Sequence, residues 1–288
     1  MTKSIHLSVT IAIIVVSLLS VSFQLPVQNG TIHSTFGEPR SDHFHNGVDI
    51  SSIDKKVYPV KDGKLIFLWD KSLFPLEQYP GVGNYCILEH NKQEKSLYVH
   101  LDNGISMSDN YTAGDSFAIM GNTGSSYGTH LHFGIIKNGR ISINPFVVLP
   151  HVDDVKTPVI EAIYIKVEDK YTNIHEGSTI RLTKHHPIAI QCFDAVKKNE
   201  RCGIYKLKVI VNNDIVADYK FDSIVLNDKN KLTIDGFAFE NLYDAKGNYL
   251  VWSINYKQGI NTINVIAEDF AGNQTSKSIS FMVVLDFK

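Results

Sequence analysis

The sequence predicts an all-β protein in two domains, and three observations carry that prediction. Short apolar runs recur along the chain: "KLIFLW", "NYCILEH", "KSLYVHL" and "SFAIMG" in the first half, and "IEAIYIKV", "PIAIQCF", "YKLKVIV", "NTINVIAED" and "KSISFMVV" in the second. Turn signals such as "KDG", "PGVG" and "TAGD" separate them, and helical periodicity is almost absent. The stretch "LPHVDDVKTP" breaks the pattern, because Pro150 and Pro158 frame a polar joint that neither strand nor helix favours.

Taken in order, residues 1–22 read as a signal peptide. Lys3 sits in a short polar head, an apolar run follows from Leu7 to Leu19, and Ser20 and Ser22 suit signal-peptidase cleavage. An uncleaved anchor is the alternative, since the run approaches the lower length of a spanning helix, about 17 residues. Either reading exports the remainder to the periplasm, cell envelope or exterior. The balance of 28 Lys plus Arg against 30 Asp plus Glu gives a net charge of -2, which excludes a general electrostatic grip on nucleic acid or anionic lipid.

The first domain, residues 23–153, holds His33, His43, His45, His90, His100, His130 and His132, most of the histidine of the mature chain. In "GTHLHF" a strand would put His130 and His132 on one face and Leu131 and Phe133 on the other. In "HNGVD", Gly47 and the β-branched Val48 disfavour a helix, so an extended segment places His45 and Asp49 on one face. Three N/O ligands plus an open position make a catalytic zinc site, which lowers the pKa of water to about 7 and polarises a carbonyl. His45, Asp49 and one histidine of "HLH" are the candidate ligands. Spacing leaves both His130 and His132 open for the third place, and His43, two before His45, also shares its face.

The second domain, residues 154–288, alternates apolar and polar residues as the strands of an antiparallel β-sandwich do. Its ending, "NVIAEDFAGNQTSKSISFMVV", resembles the last hairpin of bacterial immunoglobulin-like or fibronectin-like modules over about the last 30 residues. It shows no catalytic constellation. His185 and His186 in "KHHP" read as loop residues, and "HEG" at His175 lacks the second histidine of an HExxH helix. Cys192 and Cys202 bracket a polar loop, where a disulfide is expected in preference to two reduced, half-buried thiols and would remove about 3 kcal/mol of loop entropy from the unfolded chain. Cys86 reads as a small core residue, and three dispersed cysteines lack the paired spacing of a Cys-ligated zinc site.

In order, "STFGEPRSDHFHNGVDI", "VYPVKDGKL", "GVGNYCILEH", "LYVHL", "GDSFAIMGNTGSSYGTHLHF" and "NGRISINP" resemble the lysostaphin/LytM-type zinc metallopeptidases from about Ser34 to Val148. The resemblance implies a LytM-like antiparallel β-sheet peptidase domain that binds one Zn2+ per chain through His45, Asp49 and His132. It makes His100 of "LYVHL" and His130 the catalytic pair beside a water activated by the metal, and leaves His43 at the rim. The chain departs from the family in having Gly134 where a glutamate commonly follows "HLHF", and Tyr127 in the loop before it. Neither change removes an implied ligand or catalytic histidine. The long stretch "DKSLFPLEQYPGVG" reads as a groove wall or a surface flap.

The function these readings imply is a secreted zinc metalloendopeptidase that hydrolyses the peptide cross-links of bacterial peptidoglycan. The alternative is a non-catalytic, wall-binding or regulatory protein with the same fold. The partner implied is peptidoglycan, with a cell-envelope protein as a further partner through the C-terminal domain. That domain is expected to position the first, so that its deletion lowers activity on intact walls more than on a soluble peptide.

Overall fold

The computed structural model of the chain describes residues 23–150, 153–196 and 200–286, so the signal-peptide reading lies outside the described residues. The chain is nearly all β. The apolar runs become strands where expected: Gly63–Trp69, Asn84–Asn91, Glu94–Leu101 and Leu131–Lys137 in the first half. "SFAIMG" is the exception, because only Ala118–Ile119 is a strand, paired with Lys56–Val57.

Leu131–Lys137 organises the first sheet. One edge pairs with Glu94–Leu101. The other is shared, residues 131–133 pairing with 48–50 and residues 135–137 with 141–143. Alternation along this strand fixes its faces: Leu131, Phe133 and Ile135 are buried in the core with Tyr98, Phe36 and Phe44, while His132 faces the opposite way. The Tyr98 hydroxyl is satisfied inside this core, accepting from the Val60 amide at 2.9 Å and from Ser96 Oγ at 3.1 Å.

Beyond the joint, Val159–Val167, Ile188–Phe193, Tyr249–Val251 and Lys170–Asn173 form a four-stranded sheet. Lys206–Val211, Asp214–Lys220, Gly259–Glu268, Gln274–Leu285 and Thr179–Leu182 form a five-stranded one. Thr179–Leu182 departs from the antiparallel expectation and runs parallel to Gln274–Leu285. Ile163, Ile188, Ile190, Leu207, Val209, Val265 and Phe281 lie in one buried cluster.

The two segments are stitched together. Ser223–Leu226, Leu232–Ile234 and Phe237–Ala238, all beyond the joint, extend the first sheet through antiparallel pairing of Ser142 with Ile224. Asn144 Nδ2 donates to the Phe221 carbonyl at 2.8 Å, and the Tyr243 hydroxyl donates to the Gly37 carbonyl at 2.9 Å.

Cys192 and Cys202 are free thiols, against the expectation of a bridge. Cys202 pairs across the ladder with Asp194 rather than with Cys192, so the two sulfurs belong to offset positions. Burial pushes both thiols up, Cys192 to about 12, which favours the protonated form.

Candidate metal centre and catalytic cleft

Strand pairing brings the two sequence elements together. Asp49, in Val48–Ser51, stands directly opposite His132 in Leu131–Lys137, and Val99 flanks His132 on the other side. His45 reaches the same place by a different route from the one expected. It lies ahead of the strand rather than in it, and the chain bends at Gly47 to return its ring to the site. Only glycine fits that bend, because a Cβ there would sit 2.4 Å from the Phe133 carbonyl oxygen and 2.8 Å from the His132 ring.

Three atoms converge. His45 Nε2 is 3.1 Å from Asp49 Oδ1 and 3.0 Å from His132 Nδ1, and His132 Nδ1 is 3.0 Å from Asp49 Oδ1. His45 is buried, at 4% exposure, and its Nδ1 donates to the Thr35 carbonyl at 2.8 Å. In the neutral ring that bond leaves Nε2 as a lone pair facing the other two atoms. Two ring nitrogens and a carboxylate oxygen at such distances repel unless a proton or a cation lies among them, so this donor set fits a zinc ion.

The electrostatics favour the ligand forms. Burial alone would raise the Asp49 carboxyl, but without a metal a proton on the facing nitrogens of His132 and His45 outweighs it and holds the carboxyl well below the usual carboxylate range; a bound cation would take the place of that proton. Burial pushes His132 down to about 4, so its ring is neutral near pH 7. The second oxygen of Asp49 accepts from Arg40 at 3.0 Å, which orients the carboxylate.

His100 and His130 stand beside this trio with ring centroids 4.9 Å apart, and His130 Nε2 is 3.8 Å from Asp49 Oδ1. His100 Nδ1 donates to the Thr123 carbonyl at 2.8 Å and His130 Nδ1 to that of Gly128 at 3.0 Å, leaving both Nε2 atoms as acceptors in the neutral rings. Burial holds His100 below its ordinary value. His100 also has a positive φ of 62°, a backbone state that histidine seldom adopts and that recurs at functional sites. The loop behind it requires Gly124, with φ of 75° and 2.3 Å between its Cβ position and the Gly83 amide.

His43 points to Asp42 at the exposed rim, and His33 bonds Glu200 and Ser51. His90 is held by the Asp62 carbonyl and Ser96, away from the cleft. Tyr127 is fully exposed at the cleft edge. The stretch after Trp69 folds back on it, Phe74 stacking and Tyr79 tilting against the indole, with Gly81 and Val82 lining the cleft. At Gly134 an added Cβ would meet nothing closer than 3.5 Å, so the backbone does not demand glycine there.

Sequence reasoning missed the network that carries His45. Glu38, itself buried, accepts from Ser34 Oγ at 2.5 Å and from the Gly203 amide at 2.8 Å, and Ser34 Oγ lies 3.1 Å from His45 Nδ1. Arg40 donates to Ser34 Oγ at 2.7 Å. All three residues stand in "STFGEPR", just ahead of the metal motif, which was the available signal. Arg201, from beyond the joint, also lines the cleft, and no local pattern announces it.

The segment that carries these residues is similar to known proteins. The chain is 35% identical over 98 residues to the peptidoglycan DD-endopeptidase ShyB of Vibrio cholerae, a match covering 33% of this chain and 21% of that protein. It is 41% identical over 71 residues to the lipoprotein NlpD of Yersinia enterocolitica, covering 24% of this chain and 71% of NlpD. The chain thus spans about a fifth of ShyB's length. A zinc-containing peptidase structure from Vibrio cholerae matches at 31% identity and a TM-score of 0.37, over 43% of this chain and 39% of that one. A separate family model spans residues 157–284, and the model of peptidase family M23 matches residues 43–145. Through that segment, which contains His45, Asp49, His100, His130 and His132, the chain belongs to peptidase family M23.

Proposed function

We propose that the chain is an exported zinc metalloendopeptidase that hydrolyses peptide cross-links of bacterial peptidoglycan. The observation that carries this reading is the convergence of His45 Nε2, Asp49 Oδ1 and His132 Nδ1 within 3.1 Å of one another beside two further histidines. The name of the endopeptidase relative supports the substrate class.

In this reading His45, Asp49 and His132 hold one zinc ion, which when bound acts as a Lewis acid on the scissile carbonyl and acidifies water. His100 and His130 do the proton work. Their Nδ1 atoms are committed to the carbonyls of Thr123 and Gly128, so each Nε2 faces the cleft as an acceptor. One takes a proton from the attacking water and returns it to the leaving amine, and the other accepts a hydrogen bond from that water and so holds it in line with the scissile carbonyl. Arg40 and Thr35 keep Asp49 and His45 turned inward.

The test is digestion of purified peptidoglycan with product analysis by mass spectrometry. Clearing that disappears with a chelator and with His45→Ala is the expected result. Activity persisting in both cases contradicts the zinc mechanism.

A further inference from the structure

A second group of potential metal ligands, all of them acidic, lies away from the histidine cleft. Asp154 in the joint, Asp194 at the end of Ile188–Phe193 and Asp269 in the turn after Gly259–Glu268 each offer a carboxylate oxygen, all within 4.8 Å of one another. Asp194 and Asp269 are buried, at 4% and 1% exposure. The Ala195 amide and the charge of Lys156 offset the negative charge on Asp194 only in part. Asp269 accepts from the backbone and side-chain nitrogens of Asn273, both at 2.9 Å, and Asp154 accepts from the Lys156 amide at 2.9 Å. Among the described residues no ion pair reaches any of the three, and Asp194 Oδ1 is buried with no hydrogen-bond partner.

Three carboxylates this close, two of them out of water, are unfavourable as bare anions. Burial and the neighbouring Asp269 and Asp154 push the Asp194 carboxyl up to about 7, a sign of unbalanced negative charge. All donors are oxygens, which suits a hard cation and disfavours a metal that selects imidazole or thiolate. Among the hard cations calcium accepts the more irregular oxygen geometry, whereas magnesium demands a near-ideal octahedron. Asp154 and Asp194 border a small cavity with Thr35, Phe146 and Phe270, so the cluster opens onto space beside the joint.

We propose that Asp154, Asp194 and Asp269 form a calcium site that fastens the joint between the peptidase segment and the C-terminal sheets. The position gives the ion leverage. Asp194 exchanges backbone hydrogen bonds with Cys202, and the next residue, Gly203, donates to Glu38 and accepts from Thr35 Oγ1 at 3.0 Å. Thr35 and Glu38 are the residues that hold His45 and Ser34. The Asn273 side chain bonds the Asp154 carbonyl at 3.1 Å as well as Asp269, which already ties the joint to the turn.

The experiment uses the full chain, stripped of metal and reloaded with one equivalent of zinc, then titrated with calcium chloride by calorimetry and thermal unfolding. The wild type is expected to bind a single calcium and to gain thermal stability. Asp194→Asn and the half-exposed Asp154→Asn are expected to weaken calcium by more than about tenfold. Both should retain their zinc, and without calcium Asp194→Asn should unfold no earlier than the wild type, because one of three repelling charges is gone. Absence of calcium binding by the wild type, or the same calcium response in both variants, overturns the site. Magnesium raising stability as much as calcium at equal concentration overturns the choice of ion.

Discussion

Asp49 and His132 face each other across one antiparallel strand pair, with Oδ1 and Nδ1 3.0 Å apart. Because the register sets that distance, the Asp49–His132 half of the proposed metal centre depends on the sheet, while His45 is delivered by the bend at Gly47. His132→Ala is therefore expected to lose zinc and activity together, read as metal content by atomic emission alongside the digestion rate.

His100 and His130 should separate binding from turnover. His130→Ala is expected to keep its zinc and lose about 10²- to 10⁴-fold in rate, the usual worth of a positioned acid or base. For His100 the cleaner variant is asparagine, which tolerates the positive φ of 62° better than alanine does. Loss of zinc in either variant would assign that residue to the ligand set instead.

Gly47→Ala tests the bend that delivers His45. Its Cβ would press on the Phe133 carbonyl and the His132 ring. A cost of about 1–3 kcal/mol in unfolding free energy is expected, together with weaker zinc binding. Denaturant melts of the metal-free and zinc-loaded variant would measure both.

The pH dependence has a definite sign. Burial lowers His132 from 6.5 to about 4, so between those values the unfolded chain binds a proton that the folded one refuses. Stability of the metal-free protein should therefore rise with pH across that window, by up to about 1.4 kcal/mol per pH unit for one proton, and level off above it. Asp49 acts lower down. Its depressed carboxyl contributes stability above its ordinary value of 3.8, and that contribution is lost as the pH falls below it. His132→Gln should flatten the upper slope in denaturant melts taken across the range.

Much of the site was legible because its chemistry is local. "HNGVD" and "HLH" each carry two of the proposed site residues within five positions, although spacing alone left His43, His130 and His132 open and the family resemblance chose among them, and strand alternation put Leu131 and Phe133 in the core. What stayed hidden is long-range or carried by backbone. The carbonyls of Thr35, Thr123 and Gly128 that set the ring orientations belong to residues whose side chains say nothing about that role. Extension of the first sheet by Ser223–Leu226 depends on pairing across some 80 residues, which no local pattern encodes. Asp154, Asp194 and Asp269 are likewise brought together only by the fold.

Those cross-joint contacts sharpen the role of the C-terminal segment. Removing residues after Asp154 would strip Ser142 of its partner strand and Glu38 of the Gly203 amide. Equal loss of activity on intact walls and on a soluble cross-linked peptide is now expected, in place of a selective loss on walls. A truncated chain fully active on the soluble peptide would instead restore a purely positioning role.

The central claim is that three side chains hold zinc while two neighbouring histidines turn over wall peptide. The most direct measurement follows zinc content and cross-link cleavage together in the full chain and in His45→Ala, His132→Ala and His130→Ala. The account predicts one zinc and cleavage in the wild type, neither in the first two variants, and zinc without cleavage in the third. Cleavage by zinc-free His45→Ala, or a zinc-loaded wild type that cuts no cross-link, would contradict it.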